Sequence, residues 1–164
     1  MIDPQAVLDE LEDILRDVAA ETVTAGAPGV RRFDAVVQGI GIGAPAVDRL
    51  AMVWFDGEAD ETETLANVMT DYRFGVALCW VARAAQSEGE RLDAEMMETL
   101  RRVKAELRAR SRLGGEVTDL KLTPAGRFVG PLGDMVVQQG QVPIYHQLQF
   151  DVVISDYEGE VISG

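Results

Sequence analysis

The sequence predicts an α+β fold: a single mixed or antiparallel β-sheet with two main helices packed over it, in one domain spanning residues 1 to 164. Three observations carry this expectation. Apolar residues recur at helical spacing in two segments, near the N-terminus and around residue 100. Several other segments alternate apolar and polar with period two, as half-buried strands do. The order helix, three strands, helix, strands does not alternate regularly, which separates α+β from doubly wound α/β architectures.

The first helix opens at Asp3, an N-cap residue, with Pro4 at the first helical position, where a missing N–H costs nothing. Val7, Leu8, Leu11, Ile14, Leu15 and Val18 form its buried stripe, and Asp9, Glu10, Asp13 and Asp17 lie away from it. Thr22 to Gly29 is turn-rich. Arg32 to Gln38 reads as a first strand, ended or bent by Gly39, Gly41, Gly43 and Pro45. Leu50 to Phe55 is apolar on both faces, which suits a central or covered strand. Asp71 to Ala82 alternates through Tyr72, Phe74, Val76, Leu78 and Trp80 as a third strand. Ser87 to Glu90 reads as a turn leading into a helix from Arg91 to Arg112, where Leu92, Met96, Leu100, Val103 and Leu107 advance by three and four and Gly114 and Gly115 supply a stop. Glu116 to Leu122 reads as a strand, and Gly126 to Gly140 as a glycine-rich loop or loose hairpin. The long final strand, Val142 to Asp156, precedes a short acidic tail.

Composition bounds the function. Apolar residues at 47% and charged residues at 26% are globular values. The longest apolar stretches, Leu50 to Phe55 and Val76 to Ala82, fall far short of the ~20 residues of a spanning helix, and no basic segment followed by an apolar block predicts a leader. Cys79 is the single cysteine, so no intrachain disulfide forms; beside Leu78 and Trp80 it reads as a small buried hydrophobe made in a reducing compartment.

No catalytic, cofactor or metal constellation emerges. His146 is the only histidine and shares the apolar side of the last strand with Ile144, Leu148, Phe150, Val152 and Ile154, with no base or ligand beside it in sequence. A core histidine, satisfied by a carbonyl or water, is the expectation. The string at residues 39 to 44 superficially matches G-x-G-x-x-A, but Pro45 and the Leu50 to Phe55 run follow where a helix should open. The segment starting at Asp56 begins like a calcium loop, yet the sharp-turn glycine is replaced by Glu61 and the bidentate position by Asn67.

Charge is the remaining signal. The net of −13 argues against affinity for nucleic-acid backbones, and its distribution is uneven. Residues 1 to 71 hold 4 Lys/Arg against 15 Asp/Glu, residues 72 to 115 hold 9 against 6, and residues 116 to 164 hold 2 against 7. Asp56, Glu58, Asp60, Glu61 and Glu63 read as an acidic loop, solvated or facing a partner. Arg101, Arg102, Lys104, Arg108, Arg110 and Arg112 make the end of the second helix basic, partly because cations favour the carbonyl end of a helix. Opposite-sign surfaces on one body suit association with copies of itself.

Nearly the whole chain resembles the tail terminator proteins of long-tailed bacteriophages in organisation: the leading amphipathic helix, the acidic insertion Asp56 to Glu63 between two strands, the Asp71 to Ala82 strand, the Arg91 to Gly115 helix ending in Leu-Gly-Gly, and the closing Leu148 to Ile154 strand. The resemblance implies a non-enzymatic virion protein of the tail, assembled in the host cytoplasm. It implies a homo-oligomeric ring, typically a hexamer, that caps the tail tube, ends tube polymerisation and offers a surface for head joining. Its partners would be the tail tube protein and head-tail connector proteins, with DNA passing through unread, no membrane and no cofactor. On this reading Asp56, Glu58, Asp60, Glu61, Glu63, Arg101, Arg102, Arg108 and Arg110 line a subunit interface or the channel. The alternatives are another connector or tail-completion protein, and a small ligand-binding or enzymatic domain using His146 and the acidic segment; a stoichiometric ligand-induced thermal shift would mark the latter.

Overall fold

The computed structural model describes residues 2–18, 32–39, 47–64, 67–81, 86–109, 119–130 and 144–159. Two helices and six strands follow in the order α1 (Pro4–Asp17), β1 (Ala35–Gln38), β2 (Arg49–Thr64), β3 (Asn67–Val81), α2 (Gln86–Ala109), β4 (Asp119–Leu122), β5 (Gly126–Gly130) and β6 (Tyr145–Gly159). The strands form one mixed sheet in the order β1-β2-β3-β6-β4, with β5 also paired to β6. β1 runs parallel to β2 and every other pairing is antiparallel, so the fold is α+β with a single sheet and two helices.

α1 starts as its sequence dictates: the Asp3 carboxylate accepts a hydrogen bond from the Gln5 amide at 3.0 Å, and Pro4 occupies the first turn. Its stripe of Val7, Leu8, Leu11, Ile14 and Leu15 is buried against the β1 and β2 side of the sheet. Gln38 clips β1 to this helix: its amide nitrogen donates to Asp9 and Glu12, and its oxygen accepts from Gln5.

Both faces of the central strands are buried, as the two-sided apolar pattern of Leu50 to Phe55 anticipated. On the helix side Ala51, Val53, Phe74, Val76, Leu78, Trp80, Phe150, Val152 and Ile154 join the stripes of α1 and α2 in the main core. On the opposite side Leu50, Met52, Ala77, Cys79 and Tyr145 form a smaller cluster, where the Tyr145 hydroxyl donates to the Val47 carbonyl at 2.8 Å.

Several boundaries differ from the sequence expectation, the largest at the acidic segment. Asp56 to Glu63 is no loop between strands: it is the outer half of β2, paired with β3 from Gly57↔Arg73 to Thr64↔Asn67. Asp and Glu are poor strand formers in isolation, but strand preference is decided by cross-strand context, and here a fully paired β3 supplies the template. The ladder shifts between Phe55 and Gly57, where Gly57 adopts φ +127, a left-handed conformation open to glycine. Gly126 to Gly130 is likewise a strand rather than a loop. β4 and β5 are two halves of one edge strand: Thr123 bridges the break, its N–H donating to the Asp151 carbonyl at 3.0 Å and its hydroxyl accepting from the Asp151 N–H at 2.7 Å. Pro124, which has no N–H to give a ladder, falls in that break. α2 already includes Ser87 to Glu90, and β6 runs on to Gly159. The expected loop at Thr22 to Gly29, the Gly114-Gly115 helix stop, and residues 131–140 lie outside the described residues.

Gly75 has a specific structural task. It sits directly opposite Trp54, whose indole lies over it so closely that a Cβ on Gly75 would overlap the ring. Gly75→Ala is therefore expected to cost about 1–3 kcal/mol by forced repacking. Urea unfolding checks this, and the loss should shrink when the same change is made on a Trp54→Ala background.

Candidate functional site

The charged groups sort toward opposite edges of the sheet. Toward one, α1 exposes Asp3, Asp9, Asp13 and Asp17 over the β1–β2 edge, and β2 exposes Asp56 and Glu58 at the bulge. Asp60, Glu61 and Glu63 continue along β2, paired in register with β3 or, for Glu63, at a second irregularity. A row of acidic residues along a strand edge discourages unwanted strand pairing while leaving the backbone groups in place.

α2 lies on the same face as α1, crosses the sheet and is tied down at both flanks. Arg49 at the start of β2 makes a two-pronged ion pair with Glu95, at 2.8 and 3.2 Å, with both side chains mostly buried. The Glu95 hydrogen bonds hold the Arg49 guanidinium above its ordinary pKa against the cost of burial. On the opposite flank Arg127 of β5 pairs with Asp93 at 2.7 Å. Lys104 then reaches the bulge between β4 and β5, donating to the Thr123 carbonyl at 3.2 Å and lying 5.4 Å from the centre of the Phe150 ring, and its burial lowers its pKa.

These contacts divide the basic strip that the sequence reads as one surface. Arg101 and Arg102 both pair with Glu98 on their own helix, so their charge is largely satisfied within α2. Arg108 is exposed on the last turn, and Arg110 lies outside the described residues. The sequence reading missed Glu98 because it weighed the end of the helix alone; the i, i+3 and i, i+4 spacing was the available signal. The basic character toward the β4–β5 edge comes instead from exposed Arg108 and Lys121, since Arg127 is paired with Asp93.

His146 stands opposite Trp80 on one side and Val129 on the other, on the helix side of the sheet as expected. It is half-buried, and its Nδ1, shielded from solvent, has no protein hydrogen-bond partner among the described residues. Cys79 is fully buried in the smaller cluster, and desolvation pushes its thiol up to about 12, which removes it as a nucleophile near neutral pH. Among the described residues no group of three or more His, Cys, Asp or Glu side chains is placed to hold a metal ion. The calcium-like segment is extended strand rather than a coordinating loop, and β2 occupies the residues where a dinucleotide-binding helix after Gly39 would run. Among the described residues no helix is long and apolar enough to cross a membrane.

No protein-family model matches the sequence, and no curated protein is similar to it.

The site chemistry has measurable consequences. Glu98 is held down at about 2, chiefly by the Arg101 hydrogen bond and then by that of Arg102. A carboxylate depressed in the folded state stabilises fully above its unfolded pKa and loses that contribution as pH falls through the folded value. A titration of Glu98 by NMR should therefore place its midpoint near 2, and Glu98→Gln should flatten the stability profile between about pH 5 and pH 2. His146→Leu should change stability by less than about 1 kcal/mol in thermal melts, because it removes a shielded nitrogen with no protein hydrogen-bond partner among the described residues. A thiol reagent at pH 8 should label Cys79 only on unfolding.

Proposed function

We propose that this chain is a ring-forming structural subunit of a long phage tail, the terminator that caps the tail tube, stops its growth and presents a surface for head joining. The observation that carries the assembly part is the separation of charge between the two edges of a single sheet: acidic groups at the α1, β1 and β2 edge, exposed Lys121 and Arg108 toward the other. A body whose two sides differ in this way associates head to tail, and such a contact closes into a ring when its rotation divides the circle. The tail-specific part rests on the resemblance that the order of elements in the sequence bears to tail terminators.

The β2 arm fits a role at a contact or a channel. Past the Gly57 bulge, β2 and β3 continue for roughly 25 Å, at about 3.3 Å per residue, with β6 paired along the other side of β3. Where its carboxylates line a channel they repel phosphate backbones, so DNA slides rather than sticks. Where they meet a neighbour they pair with its basic side.

Native mass measurement and negative-stain imaging of the purified chain should show one discrete ring, hexameric in a typical terminator. Phage lacking the protein should assemble overlong tail tubes. Tubes of normal length that merely fail to join heads would instead make it a connector or completion protein, and a chain that stays monomeric at micromolar concentration would refute the ring.

A further inference from the structure

Among the described residues five large apolar side chains are exposed; Met97 of α2 and Phe55 of β2 stand apart, and the other three lie together at one sheet edge. Phe128, Val129 and Ile144 are half or more exposed, at 53%, 61% and 50%, and all belong to β5 or to the residue that leads into β6. β5 is the outermost strand there, and among the described residues nothing pairs with its far side. It is short and glycine-bounded, and its one charged side chain, Arg127, is turned to Asp93. A strand of that kind at a sheet edge is an open template for another strand.

We infer that the β4–β5 edge of one subunit docks on the β1–β2 edge of a second copy of this chain, continuing the sheet from subunit to subunit. The inference rests on the ring reading and gives it a contact. Strand direction permits the join: β5 runs antiparallel to β6, β6 to β3 and β3 to β2, while β1 is parallel to β2, so β5 meets the neighbour's β1 in antiparallel sense. The levels also match. Following the register across the sheet, Phe128 is level with Gln147, Cys79, Leu50 and finally Ala35 on β1. Phe128 therefore lies on the side of the sheet that carries the smaller apolar cluster, and half-buried Ala35 and Val37 are the members of that cluster at the opposite edge. Docking would carry the cluster across the joint.

Charge follows the same levels. Lys121 is exposed on β4 and is level with Val153, Arg73 and Gly57. Beside Gly57 the exposed Asp56 is the bulged residue, whereas Glu58 stands opposite Tyr72 and belongs to the helix side. A neighbour presented without a shift along the strands thus brings a lysine to the level of the exposed bulge carboxylate and sets Phe128 against apolar β1. A two-fold pairing of β5 with β5 would leave the acidic edge facing solvent and set like-charged edges together, which disfavours it.

The test places one cysteine on each edge. A chain carrying Ala35→Cys and Phe128→Cys should oxidise to a ladder of intersubunit multimers ending at the ring, since facing residues of paired strands lie within disulfide reach. Phe128→Cys alone should give no cross-link; a dimer from it would establish two-fold pairing and overturn the inference. Phe128→Lys with Val129→Lys should abolish the ring while leaving the thermal midpoint within a few degrees. Lys121→Glu should weaken association roughly two- to fivefold per contact, more at low ionic strength, and added Asp56→Lys should restore it. Rings that survive the double lysine change, with no ladder from the cysteine pair, would overturn this contact and leave the ring reading standing. A wild-type chain that is monomeric at micromolar concentration would remove both.

Discussion

The register of β3 is the constraint on which the rest of the structure depends. This strand of fifteen residues is paired along its length on both sides, to β2 and to β6. Because side chains alternate with period two, a slip of one residue would send Phe74, Val76, Leu78 and Trp80 to the side of Ala77 and Cys79 and bring Arg73 and Gly75 under the helices. Two local devices oppose such a slip. The Trp54 indole fits only over a residue without a Cβ, which pins Gly75 opposite it. The Gly57 bulge takes up one residue at the point where β2 passes from the apolar interior to its acidic half.

Helix placement follows from that register. α1 is held mainly by its apolar stripe, with Gln38 aligning it over β1 through polar contacts. α2 carries fewer fully buried residues, Met96, Val103 and Leu107 with Thr99, and compensates with ion pairs at both flanks. The two are unequal. Arg49 and Glu95 are largely withdrawn from water and held by two hydrogen bonds, whereas Arg127 and Asp93 are half exposed, and an exposed pair is worth only about 0–1 kcal/mol. The exposed pair can therefore give way at an interface with little loss to the fold, while breaking the buried one would leave an uncompensated charge beneath α2.

The same weighing separates specificity from affinity at the subunit contact. Charged rims steer approach and reject wrong orientations, and salt screens them over about 8 Å at physiological ionic strength. Burying a large apolar side chain contributes about 1.5–3 kcal/mol. Phe128 and Val129 would thus hold the joint, and Lys121 with Asp56 would choose which edge they meet.

Much of this was legible in the chain. The stripe Val7 to Val18 with Asp3 and Pro4 before it determined α1, and alternation determined β3 and β6, because helix and strand periodicity are local and leave their mark on every residue. The burial of Cys79 and the place of His146 on the helix side followed from the same alternation. Other features were not legible. The acidic half of β2 has the composition of a loop, and only pairing with β3 makes it strand. Glycine density disguised β5, whose existence depends on β6 arriving from a distant part of the sequence. Net charge by segment could show that acid and base are separated, but the value of that separation lies in the strand order, which puts the acidic elements at one edge of the sheet and β4 and β5 at the other. Composition and period are properties of neighbouring residues, whereas strand order, register and the edges left open arise from pairings between residues far apart, and those were decided by the tertiary structure alone.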